Sequence, residues 1–104
     1  MRDNLFDAAR EHFRKACAFS RQHDIEAQAA LTRYGSHGPV ISGCVRDHFP
    51  ERVKKRLCDL ARSATEHTDA GYAARPPRAR RSTMRALASD VARREGGGYY
   101  GPRV

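Results

Sequence analysis

The first third of the chain alternates apolar and charged positions with the period of an α-helix. Residues 4–34 contain no glycine and no proline. At about 100° per residue, apolar and small residues collect on one side of this stretch: Leu5, Phe6, Ala9, Phe13, Ala16, Cys17, Ser20, Ala27, Ala30, Leu31 and Tyr34. Charged residues occupy the opposite side. The pattern predicts one amphipathic helix, about 45 Å long at 1.5 Å per residue.

A polar run at residues 20–24 interrupts this apolar stripe and leaves a second interpretation open. A break near His23, with Asp24 as N-cap, would give two shorter helices. Ile25 is out of register with the stripe, but the apolar phase is the same before and after the run. We therefore favour an unbroken helix, with His12 and His23 at ordinary surface or flanking positions.

A second helix is predicted after the glycine- and proline-containing segment 35–49. Pro50 suits its first position, where the missing N–H costs nothing, and Gly71 is expected to end it. Glu51 and Lys55 are spaced for a favourable ion pair one turn apart. The apolar seam consists of Val53, Leu57, Leu60, Ala61 and Ala64. Because this seam matches the first helix in width, an antiparallel hairpin is the expected packing.

The last third is predicted to contain a linker, a short helix and a tail. Residues 75–78 read Arg-Pro-Pro-Arg, and a residue before proline disfavours helical geometry. Ser82 is the expected N-cap and Gly96 the expected stop of a third helix, with a seam of Met84, Leu87, Ala88 and Val91. The predicted fold class is all-α. Residues 1–70 form a long-helix antiparallel hairpin, and residues 71–104 an arginine-rich linker, a short helix and an extended Gly/Tyr tail.

The composition provides little material for a hydrophobic core. Leu, Ile, Val and Phe together make up 16 of the 104 residues, and the formal net charge is +8. Chains of such composition often fail to fold alone. We therefore expect the isolated chain to show low helicity and no cooperative melt. Its partner would be a larger protein or ribonucleoprotein assembly, or a second copy in a homodimer.

The positive charge is concentrated in the last third. Residues 71–104 hold eight arginines against two acidic residues, whereas residues 1–70 hold 12 basic and 10 acidic side chains. Arginines can neutralise phosphates, and tyrosines can stack on exposed bases. The candidate contacts to nucleic acid or to an acidic protein are Arg75, Arg78, Arg80, Arg81, Arg85, Arg93, Arg94, Tyr99 and Tyr100. The sequence leaves open which of the two partners is bound.

Patterns for metal binding and catalysis are weak. Cys44 and His48 stand four residues apart, but Cys58 and His67 are nine apart, whereas structural zinc sites use two tight ligand pairs. Cys44 and His48 are also a weak candidate pair for a catalytic nucleophile and its general base. No glycine-rich segment has the context of a phosphate-binding loop. We expect no enzymatic activity, no cofactor and no metal.

Cysteine usage suggests the compartment. Cys17, Cys44 and Cys58 are an odd number at no framework spacing, and no secretory hydrophobic segment is apparent. An intracellular, reducing compartment is expected, either the cytoplasm or an organelle matrix. No apolar run approaches 18 residues, so no membrane span is expected.

Three functional hypotheses follow. The first is a non-catalytic accessory subunit or adaptor that docks into a larger intracellular assembly, with the arginine-rich segment as an anchoring arm. The second is a free-standing basic nucleic-acid-binding regulator, which could be a homodimer. The third is a small inhibitor, of the kind that mobile elements encode, that occupies a protein surface.

Overall fold

The computed structural model describes residues 5–34 and 49–95. Three helices account for most of them: α1 (Asp7–Tyr34), α2 (Glu51–Ala73) and α3 (Arg81–Glu95), and no strand occurs within the described ranges. The all-α prediction, a long-helix hairpin followed by a short third helix, is confirmed. The Gly/Tyr tail and the Cys44–His48 pair lie outside the described residues.

α1 runs through the polar segment without a break, so the two-helix alternative is wrong. Ser20 and His23 are both buried and extend the packed face across that segment, so the expected surface position of His23 is also wrong. Ile25 is 62% exposed, as its register predicts. Leu5 was expected on the packed face but is also 62% exposed, since it precedes the first residue of α1.

α2 begins and ends later than predicted. Pro50 precedes the first helical residue, and its carbonyl oxygen accepts a hydrogen bond from the N–H of Lys54 at 3.0 Å. Gly71 does not stop the helix, which continues to Ala73. A Cβ at Gly71 would lie 2.6 Å from Cδ1 of Phe13. This glycine therefore serves the close approach of two helices, a role that local sequence does not reveal.

Ion pairs on α2 differ from the predicted one. Glu51 contacts Lys54 at 2.9 Å, one position earlier than expected. Lys55 instead contacts Asp59 at 3.5 Å. Both spacings place side chains on neighbouring positions of one helix face, so the sequence pattern could not decide between them.

α3 begins one residue before its predicted cap. Arg81 is already helical, and the carbonyl of Arg80 accepts the N–H of Met84 at 3.2 Å, so Ser82 lies within the first turn. The predicted seam is confirmed, with Met84, Ala88 and Val91 buried and Leu87 packed against them. Glu95 is the last described residue, and the predicted stop at Gly96 lies outside the described ranges.

Contacts between α1 and α2 show the predicted antiparallel arrangement. Phe13, near the start of α1, lies against Gly71 near the end of α2. Toward the other end, Arg56 of α2 donates two hydrogen bonds to the carboxylate of Glu26, at 2.9 and 3.0 Å. The two helices therefore run side by side over most of their length.

α3 covers one half of this hairpin. The carboxylate of Glu95 lies 3.8 to 3.9 Å from the guanidinium groups of Arg14 and Arg21, and its backbone carbonyl accepts a hydrogen bond from Arg21. Arg81, at the other end of α3, lies near Tyr72. α3 therefore runs parallel to α1 and packs on its N-terminal half.

Nine of the twelve buried hydrophobic residues in the described ranges belong to two clusters. The first, here called the three-helix end, joins α1 and α3 through Ala9, Phe13, Cys17, Met84, Ala88 and Val91. The second, the two-helix end, contains Ala30, Phe49 and Leu57. Five of the twelve buried hydrophobic residues in the described ranges are alanines. The core is therefore thin, because alanine buries little apolar area.

Candidate anion-binding segment

Five exposed arginines lie on the connection between α2 and α3 and on the first turns of α3. We call residues 75–85 the anchoring segment; its cationic residues are Arg75, Arg78, Arg80, Arg81 and Arg85. No aspartate or glutamate occurs from residue 70 to residue 89. This is the densest uncompensated positive charge in the sequence, as predicted from composition.

Backbone hydrogen bonds order the connection that carries these arginines. The N–H of Ala74 donates to Ala70 at 3.0 Å and that of Arg75 to Tyr72 at 3.2 Å, which closes the end of α2. The N–H of Ala79 donates to the carbonyl of Pro76 at 3.0 Å and forms a turn. The two adjacent prolines fix their own φ angles. The arginines are thus presented from a defined backbone.

Arg75 and Arg81 meet at one surface depression. They line it together with Tyr72 and Ala73, and its volume is about 310 Å³. The first turn of α3 contains no acidic residue. The N–H groups at a helix start have no partner within the helix, and the helix dipole is positive there. An anion in this depression would therefore meet the positive charge of two arginines, one of which is the first residue of α3, at the positive end of the helix dipole.

Ion pairing separates the anchoring segment from the other basic residues. Among the 17 described lysines and arginines, nine lie within 4 Å of a carboxylate. Within the described ranges, eight have no such contact: Lys15, Arg33, Arg52, Arg75, Arg78, Arg80, Arg81 and Arg85. Five of these eight belong to the anchoring segment, so its charge is available to an external anion.

Two other predicted contacts lie elsewhere. Arg93 and Arg94 stand on the last turn of α3 and bind Asp90 at 3.3 and 3.0 Å. Hydrogen bonding from Arg93, with the nearby charge of Arg94, lowers the pKa of Asp90. Their charge is partly compensated, and the structure does not bring them into the anchoring segment. Tyr99 and Tyr100 lie outside the described residues.

A groove at the two-helix end was not predicted. Its volume is about 390 Å³, and it is lined by Glu26, Ala29, Ala30, Arg33, Tyr34, Arg52, Val53, Arg56 and Leu57. These residues come from α1 and α2 and are separated by up to 31 positions in the sequence. Arg33 and Arg52 have no carboxylate contact among the described residues. Both charges are visible in the sequence, but that they lie at one groove depends on the register of the hairpin.

Two histidines meet across the hairpin. Nδ1 of His12 lies 3.2 Å from Nδ1 of His67, and the ring of Phe19 stacks on His67 at a centroid distance of 5.6 Å. Burial, with smaller contributions from His12 and Lys15, lowers the pKa of His67. His12 is half-buried, which fits the predicted surface or flanking position, but its contact with a histidine 55 residues away in the sequence was not predicted.

The described cysteines and helices carry no sign of other chemistry. Cys17 is buried in the three-helix end, and this burial raises the pKa of its thiol, as suits a small core residue. Within residues 5–34 and 49–95 no group of three or more His, Cys, Asp or Glu side chains is placed to hold a metal ion. In the same ranges no helix combines the length and the apolar character needed to cross a bilayer.

The chain matches no known family model, no curated protein and no solved structure. Functional inference therefore depends on its own geometry and charge.

Proposed function

We propose that the protein is a non-catalytic basic accessory subunit that docks into a larger intracellular assembly and anchors itself to nucleic acid phosphates through residues 75–85. The observation that carries this proposal is the set of five exposed arginines without a carboxylate contact in the described ranges. A free thiol at exposed Cys58 and another at buried Cys17 suit a reducing compartment.

The spacing of the arginines favours a polymer of phosphates over a single anion. Five guanidinium groups occur within eleven residues, on a turn and on the first turns of a helix. A guanidinium donates two parallel hydrogen bonds to a phosphate. A nucleic acid backbone presents phosphates at regular short intervals, so several arginines can bind at once.

The thin core supports an accessory role. Alanines supply five of the twelve buried hydrophobic side chains of the described residues. Among the described helices, α3 alone packs on the hairpin, and it covers one half of it. A protein of this build gains stability from binding a partner, because a ligand that binds the folded state shifts the folding equilibrium.

Titration at several salt concentrations tests the phosphate contacts. The probes are a single-stranded RNA and a DNA duplex of about 20 nucleotides per strand, and binding is measured by fluorescence anisotropy. Each phosphate contact contributes about −0.7 to −0.9 to the slope of log K against log salt. Replacing all five arginines of residues 75–85 by glutamine should lower affinity strongly and, if each contacts a phosphate, reduce the slope by about 3.5 to 4.5.

A matched control removes five positive charges elsewhere. Glutamine replaces Lys15, Arg33, Arg52, Arg62 and Arg94, all exposed and outside the anchoring segment. This control should keep most of the affinity and slope. Equal losses in both variants, or no binding by the natural chain at low salt, would reject phosphate anchoring. Tighter binding to polyglutamate than to RNA would instead favour an acidic protein partner.

The oligomeric state tests the accessory role. Circular dichroism of the isolated chain should show low helicity, which rises when RNA is added. Sedimentation measures its oligomeric state. A cooperative melt of a stable homodimer without any partner would contradict the accessory role and favour the free-standing regulator.

A further inference from the structure

We infer that the groove at the two-helix end binds an acidic amphipathic helix of a partner protein. This inference rests on the docking role proposed above and names the chemistry of the docking partner. It concerns a different surface from the phosphate-binding one, so the two can be tested separately.

The floor of the groove is apolar and belongs to both helices of the hairpin. Ala30 and Leu57 are buried in the adjoining core cluster, and Val53 packs against that cluster. Ala29 lines the groove and is exposed. A cleft between two antiparallel helices suits a third helix that lays apolar residues, spaced three and four apart, along it.

The rim of the groove carries positive charge. Arg33, Arg52 and Arg56 stand around it with one acid, Glu26. Two hydrogen bonds from Arg56 already engage Glu26 and lower the pKa of its carboxyl group. Arg33 lies over the ring of Tyr34 and, like Arg52, has no carboxylate within 4 Å among the described residues. An occupant with carboxylates beside its apolar face would complement both arginines.

The other half of the molecule shows how such a helix binds. α3 lays Met84, Ala88 and Val91 on the apolar face of α1, and these residues are spaced four and three apart. Its Glu95 reaches Arg14 and Arg21 of α1. An apolar seam with a flanking carboxylate that contacts arginines of the hairpin is therefore already one solution within this chain. The groove's partner has the same chemistry.

The groove and the anchoring segment are far apart. About 20 residues of α2 separate Val53 from Arg75, which corresponds to about 30 Å of helix. A helical peptide in the groove would not contact residues 75–85. Loss of binding at one surface should leave the other intact.

The probe is a synthetic helical peptide of about 18 residues with leucines at positions i, i+4, i+7 and i+11 and glutamates on both flanks. Two matched peptides accompany it. One has the same composition with the leucines spread around the helix, and the other has glutamine in place of glutamate. Only the acidic amphipathic peptide should bind well, as measured by anisotropy of a labelled peptide.

Charge-matched variants of the protein locate the binding surface. Arg33→Gln with Arg52→Gln should weaken peptide binding at least tenfold. Arg78→Gln with Arg80→Gln removes the same charge from the anchoring segment and should change it less than twofold. Ala29→Trp fills the groove without changing charge and should also block the peptide. Peptide binding is measured in an osmolyte that strengthens folding, and circular dichroism under the same conditions verifies that each variant is as helical as the natural chain.

Several outcomes would overturn the inference. Equal weakening by both arginine pairs, or equal binding of the permuted peptide, would indicate nonspecific attraction to a basic protein. Self-association that Ala29→Trp abolishes would make the groove an interface between two copies. If the groove variants bind RNA normally and no variant distinguishes the peptides, the groove inference fails while phosphate anchoring stands.

Discussion

The two ends of the hairpin are built from similar material but are completed differently. At the three-helix end, α3 covers α1 and adds Met84, Ala88 and Val91 to a cluster around Phe13. At the two-helix end, Ala30, Phe49 and Leu57 form a smaller cluster beside an open groove. Among the described helices, none lies along the two-helix end as α3 lies along the other end, and the cleft between α1 and α2 is apolar there. The comparison supports the proposal that a partner binds at the two-helix end.

The largest predicted effect is on the core of each end. Phe13→Ala should lower the free energy of unfolding by about 3 to 5 kcal/mol. Leu57→Ala should cost about 2 to 3 kcal/mol, because the adjoining groove lets its surroundings relax. Urea unfolding followed by circular dichroism measures both, in an osmolyte that strengthens folding of all variants. Equal costs would show that the two ends are equally well packed.

The next largest effect on stability is predicted for Gly71→Ala. Exchanging a helix glycine for alanine ordinarily stabilises by about 1 kcal/mol. Here the added methyl group would collide with Phe13, which is 2% exposed and whose ring packs edge-on against Tyr72 at 5.3 Å. We expect Gly71→Ala to destabilise by about 1 to 2 kcal/mol, since overpacking costs more than propensity gains.

A control for Gly71→Ala is Ala29→Gly, on the exposed side of α1. It should show the ordinary helix propensity alone, a loss of about 1 kcal/mol. If Gly71→Ala stabilises the protein instead, the close packing of α1 on α2 at the three-helix end is wrong.

A smaller loss of folding stability is predicted when the pH is lowered. Burial, then His12 and Lys15, lowers the pKa of His67, while Glu66 opposes this and Phe19 stacks on the ring. An unfolded histidine has a pKa of about 6.5. Above that pH, His67 is neutral in the folded and in the unfolded chain, and burying it costs no stability. As the pH falls through that value, the unfolded chain takes up the proton more readily, so stability drops until the folded histidine is also protonated.

Urea midpoints at pH 7.5 and pH 5.5, measured in the same osmolyte, give this dependence. His12→Gln with His67→Gln should flatten it, because the variant no longer contains the imidazole of His67, whose pKa is lowered mainly by burial. An unchanged pH dependence in this double variant would assign the effect to other groups.

The smallest effect is predicted for surface ion pairs. Glu26→Gln removes the pair with exposed Arg56 at the two-helix end, and exposed pairs contribute little because water screens them. The urea midpoint should stay within measurement error. Glu95→Gln, which loses contacts to Arg14 and Arg21 at the three-helix end, should give the larger shift of the two.

Periodic patterns predict the elements of this fold but not how they approach one another. The apolar phase across residues 20–24 correctly indicates one α1, and the spacing of Met84, Ala88 and Val91 correctly indicates the seam of α3. The prediction that Gly71 ends α2 is wrong, because the reason for this glycine is the ring of Phe13, 58 residues away. A glycine has the same local signature in both roles.

The two candidate surfaces also differ in how well the sequence predicts them. The anchoring segment is contiguous, so a count of arginines and acids along the chain is enough to locate it. The groove combines α1 and α2, and the contact of His12 with His67 also joins distant residues. Such sites depend on the register of the hairpin, which periodicity alone does not determine.

The contact of Phe13 with Gly71 has a consequence for geometry. If α1 slid along α2 by one turn, the ring would meet a residue with a side chain, so the close approach fixes a single alignment of the two helices. α2 then keeps a fixed distance between the surfaces at its two ends. Whatever binds the groove is held about 30 Å from whatever binds residues 75–85.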